Sequence, residues 1–386
     1  LQEEYLLMPS EDIYRHREET VKRNKYFMFR IHPNESQKVM FEKTFGCVRF
    51  IYNKMLSDKI QYYEETKKML KNTPAQYKKE YEWLKEVDSL ALANAQLHLE
   101  SAYKNFFRRP KVGYPKYKSK HKGKRRYTTN YVNGNIRVED GYITLPKIRN
   151  IRIKAHRDIP EGYRMKSVTV EKRASGNYYV SILCEYEIEV KEKEINTSIG
   201  LDYSMGSLYV SSEDERADYP HFYRISLDRV KREQRRLSKM KKGGSNYQKQ
   251  KVKIARLHEK ITNQRKDFLH KKSRQIANAY DIVCIEDLDM KGMSRSLHFG
   301  MSVHDNGWGM FTTLLQYKLE DMGKRLVKVD RWFASTQICH VCGYKNVDTK
   351  NMSITRWECP KCHEVHDRDY NASINIKKEG MRIAFQ

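Results

Sequence analysis

Four cysteines fall in two close pairs near the C-terminus, Cys339-x2-Cys342 and Cys359-x2-Cys362, with sixteen residues between the pairs. Each pair can offer two thiolates from a tight turn. A hairpin over Lys345 to Trp357 would bring the pairs together into a tetrahedral four-sulfur site, the arrangement of structural zinc. Gly343 supports the first turn and Pro360 lies inside the second. Four thiolates close the coordination shell, so this zinc would have no open position for catalysis. A redox pair explains one such motif more readily than two matched ones. His340, His363 and His366 stand nearby and are expected at the surface or in the hairpin, outside the ligand set.

Three carboxylates stand where a strand or helix can present them at an edge. Asp202 lies within SIGLDYS, Glu286 ends the apolar run IVCIE, and Asp369 opens the helical segment of CHEVHDRDYNASINI, with Asp367 as a close neighbour. Singly, such acids are usually caps or ion-pair partners. Together they suggest a divalent-metal site, because Mg²⁺ takes hard oxygen ligands and keeps several waters. A two-metal site can activate a water and stabilise the leaving oxygen of a phosphodiester. A cation among the acids would also reconcile them with a phosphate substrate.

The elements that must position these groups alternate along 386 residues. KYFMFRIHP (25–33) reads as a strand ending at Pro33. Val39, Phe41, Phe45, Val48, Ile51, Tyr52 and Met55 mark one helical face between Glu35 and Lys68, and a second helical stretch runs from Gln76 through Asn105. Hairpins are expected to turn at Glu139-Asp140-Gly141 and at Ser175-Gly176-Asn177. KEKEIN (191–196) reads as a linker. Beyond it SIGLDYS, GSLYVSS and HFYRIS read as strands. Two long basic helices over 227–279 break at Gly243-Gly244-Ser245-Asn246, with Val252, Ile254, Leu257, Ile261 and Phe268 on the packing face of the second. DIVCIED is a buried strand, NGWGMFTTLLQYKLEDMG a helix and RLVKVD a strand. This alternation argues for an α/β unit with a mixed sheet. Cys47, Cys184 and Cys284, isolated in apolar stretches, read as buried thiols. Seven cysteines so distributed do not form a secreted disulfide framework.

Charge narrows the partners. The chain carries 75 Lys plus Arg against 49 Asp plus Glu, a formal net charge of +26, which suits a polyanion, nucleic acid above all. Residues 101–126 hold eleven Lys or Arg and no acid, interleaved with Tyr103, Phe106, Phe107, Tyr114 and Tyr117; cations can meet phosphates there while rings stack on bases. Residues 229–274 hold 18 Lys or Arg against three acids. Mean hydropathy is −0.85. No run is apolar enough to span a bilayer, and the first 24 residues are too charged for a signal peptide.

The ordered set GLDYSMGSLYVSS, IVCIEDLDMKGM and CHVCGY…WECPKCHEVHDRDYNASINI, with KYFMFRIHPNESQ and FGCVRFIYNKML upstream, resembles the TnpB proteins of bacterial insertion sequences, compact ancestors of the type V CRISPR effectors. The likeness covers roughly residues 25 to 380. It implies an RNase H-like (RuvC) α/β nuclease domain interrupted by a zinc ribbon, preceded by a β-barrel wedge domain with a helical recognition insert. On this chain that means an extension at 1–24, the wedge at 25–190 with its insert at about 35–125, nuclease segments at 191–338 and 364–386, and the ribbon at 339–363. The implied activity is RNA-guided, Mg²⁺-dependent cleavage of DNA beside a short target-adjacent motif. The family's D-x-N-A pattern matches Asp369-Tyr370-Asn371-Ala372, so the resemblance selects Asp202, Glu286 and Asp369 as the catalytic, magnesium-binding acids and leaves Asp367 a capping role. Asp287 and Asp289 are set aside in the same way.

Implied partners are a guide RNA and double- and single-stranded target DNA, with the chain monomeric on its RNA in a prokaryotic cytoplasm. Candidate nucleic-acid contacts are Arg49, Tyr52, Asn53, Lys54, Arg108, Arg109, Lys116, Lys118, Arg125, Arg126, Arg232 and Arg235. Three rivals remain: an effector with a CRISPR-derived guide, a guided DNA-binding repressor, which would be expected to lack one of the acids, and a strand-transferring transposase.

Overall fold

In the computed structural model, the described residues are 18–121, 123–191, 194–290, 292–293, 305–351 and 353–386. Most of the expected extension, up to residue 17, lies outside them. The chain divides into two compact units, one of Lys22–Glu187 and one carrying Ile188–Gln386.

The first unit is built on seven strands: β1 (Glu18–His32), β2 (Arg125–Asn130), β3 (Arg137–Glu139), β4 (Tyr142–Leu145), β5 (Ile148–Lys154), β6 (Arg164–Lys172) and β7 (Tyr178–Lys191). They form one sheet in the order β2-β6-β7-β1-β5-β4-β3. The strand expected from residue 25 begins earlier, at Glu18. Both expected hairpins are present, with Asp140 and Gly141 at positive φ in one and Gly176 in the other, the backbone that tight hairpin turns require.

Helix α1 (Glu35–Thr66) follows β1 and starts where Pro33 ends the strand. Its start is a capping box: Asn34 Oδ1 accepts from Gln37 N at 2.9 Å, and Gln37 Oε1 accepts from Asn34 N at 2.9 Å. Phe41, Phe45, Val48, Ile51, Tyr52 and Met55 are buried as their spacing predicts, but Val39 is 57% exposed. It lies two residues from Phe41, about 200° around the helix. The expected single helix from Gln76 to Asn105 is three pieces: one turn, α2 (Pro74–Tyr77), a 3-10 segment (Glu82–Glu86), and α3 (Ser89–Arg108). The stop signals were local. Asp88 caps α3, accepting from Leu90 N at 2.9 Å, and this cap outweighs the continuing apolar period.

The second unit carries a four-stranded mixed sheet of β8 (Ser198–Ser204), β9 (Leu208–Ser211), β10 (Ile282–Glu286) and β11 (Arg325–Val329), ordered β11-β10-β8-β9. β8, β10 and β11 are parallel, and β9 returns antiparallel to β8. Around it stand α4 (Phe222–Ser238), α5 (Ser245–Ala279), α6 (Trp308–Glu320) and α7 (Arg368–Ala384). HFYRIS, expected as a strand, is the start of α4, entered through His221 at φ 49°. A six-residue apolar stretch cannot separate strand from buried helix by period alone. Tertiary packing decides it: Phe222 meets Tyr219 and Phe268 edge-on. The basic pair of helices breaks as expected, with Gly243 at φ 87°. In α5, Ile261, Leu269, Ile276 and Ala277 are buried, while Val252, Ile254, Leu257 and Phe268 are only half-buried. β12 (Arg356–Glu358) and β13 (Val365–Asp367) form the ribbon's hairpin and lead directly into α7.

Candidate active site and metal centre

The three acids arrive on three elements of the second unit. β8 and β10 run parallel with Leu201 opposite Ile285, so Asp202 and Glu286 leave the same end of neighbouring strands. Asp369 comes from the first turn of α7, which lies flat on this sheet because two glycines permit it. A Cβ at Gly200 would stand 2.1 Å from the Ser373 carbonyl and 2.7 Å from Lys377 N, and one at Gly380 would stand 2.3 Å from Cys284 Sγ. Neither separation is sterically possible, so helix and sheet touch backbone to backbone at Gly200 and against Cys284 at Gly380. That close approach carries Asp369 to the strand ends.

Asp202, Glu286 and Asp369 line one cavity of about 410 Å³, together with Arg368, Lys350 and Thr336. Burial pushes the Asp202 carboxyl well above the usual carboxylate range, and the Glu286 and Asp369 charges add to this while Arg368 opposes it. Burial also raises Glu286, opposed by the hydrogen bond that Ser335 Oγ donates to Glu286 Oε1. Asp369 Oδ1 accepts from Arg368 Nε at 3.2 Å and Nη2 at 3.1 Å. The carboxylates share a cavity without all closing to mutual ligand spacing; among the described residues, only the cysteines do that. Buried like charges of this kind are costly unless a cation joins them, and carboxylate oxygens are the donors a hard divalent cation takes.

One consequence concerns stability. Asp202 holds its proton more tightly in the folded chain than in the unfolded one. It therefore favours the fold below the ordinary carboxylate range, and the benefit is lost as pH rises through the raised value. Without divalent cation at neutral pH, Asp202→Asn is expected to melt higher by a few degrees, at about 2–4 °C per kcal/mol for a domain of this size. The gain is expected to disappear in acid. Thermal melts in chelator across this pH range check both the sign and the window.

Asp367 sits as the N-cap of α7. Its Oδ1 accepts from Asp369 N at 3.1 Å and Tyr370 N at 3.0 Å, and its Oδ2 pairs with Arg216 at 2.9 Å. Asp287 pairs with Arg331 at 3.2 Å and Lys328 at 3.5 Å. Asp289 accepts from Gly292 N at 3.1 Å.

The four cysteine sulfurs lie within 4.8 Å of one another, with Cys339 to Cys362 at 3.6 Å and Cys342 to Cys359 at 3.5 Å. A tetrahedral ion with Zn–S bonds of about 2.3 Å would set these edges at about 3.8 Å, so the sulfurs fit zinc. Gly343 and His363 take the positive-φ positions of the two turns, at 74° and 60°. His366 lies in the hairpin, on β13, and is buried there. It is 2% exposed, with Nε2 3.1 Å from Cys339 Sγ and its ring against Trp357. Strand alternation explains this: in β13, Val365 and Asp367 face out, so His366 faces in.

Sequence reasoning missed the groups that tie ribbon to helix. Asn371 Nδ2 donates to Ile338 O at 2.8 Å and Asn371 Oδ1 accepts from His340 N at 3.0 Å. Asn375 Nδ2 reaches Ser335 O at 2.9 Å and Ile338 O at 2.6 Å, and Lys378 Nζ reaches His340 O. Their spacing at i, i+4 and i+7 was a visible signal for one helix face.

Among the candidate nucleic-acid contacts, several are already engaged within the first unit. Asn53 bonds Lys118 in both directions, Nδ2 to Lys118 O at 3.0 Å and Oδ1 from Lys118 N at 2.8 Å. Lys118 Nζ lies 3.7 Å from the Tyr52 ring centroid, and burial with nearby Arg126 lowers its pKa to about 8. Lys54 pairs with Asp58 at 3.0 Å. Arg49, Tyr52, Lys118, Arg125 and Arg126 line a cleft of about 430 Å³. Arg108, Arg109 and Lys116 are exposed on the basic segment, and in the second unit Arg232 and Arg235 are exposed on α4. Of the interleaved aromatics, Tyr103 is a core residue at 6% exposure, while Phe107, Tyr114 and Tyr117 remain exposed.

Comparison with known proteins bears on the family and the fold. The family described as "Probable transposase" matches residues 181–297, spanning β8 to β10, and the "Cas12f1-like, TNB domain" matches 308–376, spanning the ribbon. A "Helix-turn-helix domain" matches 23–68, which here is most of β1 followed by α1. A protein of Streptomyces pristinaespiralis named "Putative RNA-guided DNA endonuclease" is 34% identical over 363 residues, covering 92% of this chain and 89% of its own. Escherichia coli K12 InsQ, named in the same way, is 28% identical over 386 residues, covering 94% of each. The Cas12f1 chain solved with single-guide RNA and target DNA is alike in fold, with TM-score 0.56 at 13% identity over 93% of this chain and 99% of that one. Identity at this level along nearly the whole length places the chain in the TnpB family.

Proposed function

We propose that this chain is an RNA-guided DNA endonuclease that cuts target DNA beside a short target-adjacent motif. The observation that carries the reading is the meeting of Asp202, Glu286 and Asp369 in one cavity, on a chain of net charge +26. The names of its relatives support the same activity. Asp202, Glu286 and Asp369 would hold the divalent ions, Mg²⁺ in this reading. Bound there, the ions supply an activated water and stabilise the leaving oxygen of an in-line phosphodiester displacement. Ser335 orients Glu286 through its hydrogen bond. Arg368 neutralises Asp369 and lines the cavity where a phosphate enters. Cys339, Cys342, Cys359 and Cys362 hold structural zinc.

Base pairing with the guide supplies sequence specificity in this scheme, and the protein reads heteroduplex shape. The exposed cations of α4, α5 and residues 101–126 then contact phosphates of RNA and DNA. The sheet of the first unit, with α1 to α3, corresponds to the wedge and its recognition insert. Among the described residues, no helix is long and apolar enough to cross a membrane.

Purification followed by sequencing of bound RNA tests the reading. Discrete RNA with a fixed scaffold and a variable guide is expected, and the guide's source separates a transposon end from a CRISPR array. Reprogramming that guide should redirect cleavage, with activity lost in chelator. Protein without RNA, or cutting indifferent to the guide, would sink the proposal.

A further inference from the structure

We propose that Trp332 is a stacking platform for one base of the single-stranded substrate strand, at the rim of the candidate nuclease cavity; this rests on the functional reading above. Trp332 is 86% exposed, the highest among the described large apolar side chains. Its turn is nonetheless built. Asp330 Oδ1 accepts from Trp332 N at 2.8 Å, and Asp330 O accepts from Phe333 N at 3.0 Å. Phe333 packs against the small core of Ile282, Cys284, Val329 and Ile376. The backbone is therefore held on both sides of the indole, which is presented outward at little further entropic cost.

The turn adjoins the acids. β11 pairs with β10 so that Val329 lies opposite Glu286. On one side of Trp332, Arg331 bonds Asp287, the neighbour of Glu286, at 3.2 Å; on the other, Ser335 bonds Glu286 itself. Three residues of chain reach at most about 10 Å, so Trp332 stands within that distance of Ser335. Thr336 already lines the cavity, whereas Trp332 is not part of its wall. The turn that carries the ring thus borders the cavity.

The polar surroundings of the turn and its closeness to the acids identify the occupant. Lys328, Arg331, Asp287 and Asp330 surround the turn with paired charge, and Lys350 and Arg368 line the cavity together with the three acids. A protein-docking surface would surround the ring with apolar area. An aromatic face set among charged groups beside the three acids suits a base of the strand being cut, and such stacking tolerates any sequence. A base held there would fix which phosphate of the strand enters between the acids.

The test uses the full chain purified with its guide RNA, as wild type, Trp332→Ala and Trp332→Phe, cutting guide-matched DNA in single-turnover conditions. Alanine is expected to slow cleavage about 5- to 150-fold, the range for losing one base–aromatic stack. Phenylalanine should restore most of the rate, and all three should melt alike and bind matched DNA alike. Substrates with one abasic nucleotide, stepped along the cleaved strand, identify the base: at one position near the cut the abasic site slows wild type but not Trp332→Ala. Equal rates for wild type and Trp332→Ala, no such position, or a protein assembly lost only in the alanine variant overturns the platform. A wild-type chain that cuts no guide-matched DNA defeats the functional reading instead, and the platform with it.

Discussion

Asp369→Ala is expected to lower metal-dependent cleavage of guide-matched DNA by more than about 100-fold, beyond the cost of losing an outer-sphere partner at a metal site, while guide RNA stays bound. Asp367→Ala is expected to keep much of the activity. The two residues are neighbours in sequence with different surroundings. Asp367 caps α7 and pairs with Arg216, so its loss costs about 1 kcal/mol of helix stability, and Asp367→Asn should retain the cap. Asp369 lines the cavity shared with Asp202 and Glu286 and opposes the charge of Asp202. Cleavage measured side by side decides the matter. If Asp367→Ala were the dead variant and Asp369→Ala the active one, the third acid would be misassigned.

Cys359→Ser is expected to remove the zinc and most of the cleavage together, although no cysteine touches the acids' cavity. The route runs through α7. Asn371, Asn375 and Lys378 hydrogen-bond the backbone of Ser335, Ile338 and His340 at the base of the first turn. Ser335 in turn bonds Glu286, and His366 joins Cys339 to the strand that ends in the Asp367 cap. Structural zinc supplies folding energy on the order of 10 kcal/mol. Its loss would therefore release the ribbon from α7 and free both Glu286 and the start of the helix. Zinc content, helical signal and cleavage should be measured on one preparation, with wild type in a zinc chelator alongside. Retained cleavage in a zinc-free variant would show that the ribbon is independent of the acids.

Much of the chain was legible because its signals are local. The two Cys-x2-Cys pairs, the Asp-Gly and Ser-Gly hairpin turns and the Gly243 break each act within a few residues, where backbone geometry and side-chain chemistry determine the outcome. The same locality explains the errors. HFYRIS was too short for its period to speak, and Gln76–Asn105 carried an internal cap at Asp88.

Placement at strand and helix edges made Asp202, Glu286 and Asp369 candidates, the family resemblance chose Asp369 over Asp367, and the cysteine spacing by itself specified a four-sulfur ribbon. Only the tertiary structure brought the acids to one cavity. The parallel pairing of β8 with β10 aligns the first two, and the close seat of α7 on Gly200, with its own Gly380 against Cys284, delivers the third. It also recruited Ser335, Arg368 and Lys350, whose types are common and whose importance lies in position. The physical reason is range: turns, caps and metal-binding knuckles are closed by neighbours in sequence, whereas a carboxylate's pKa, partners and cavity are set by elements that meet only when the core packs.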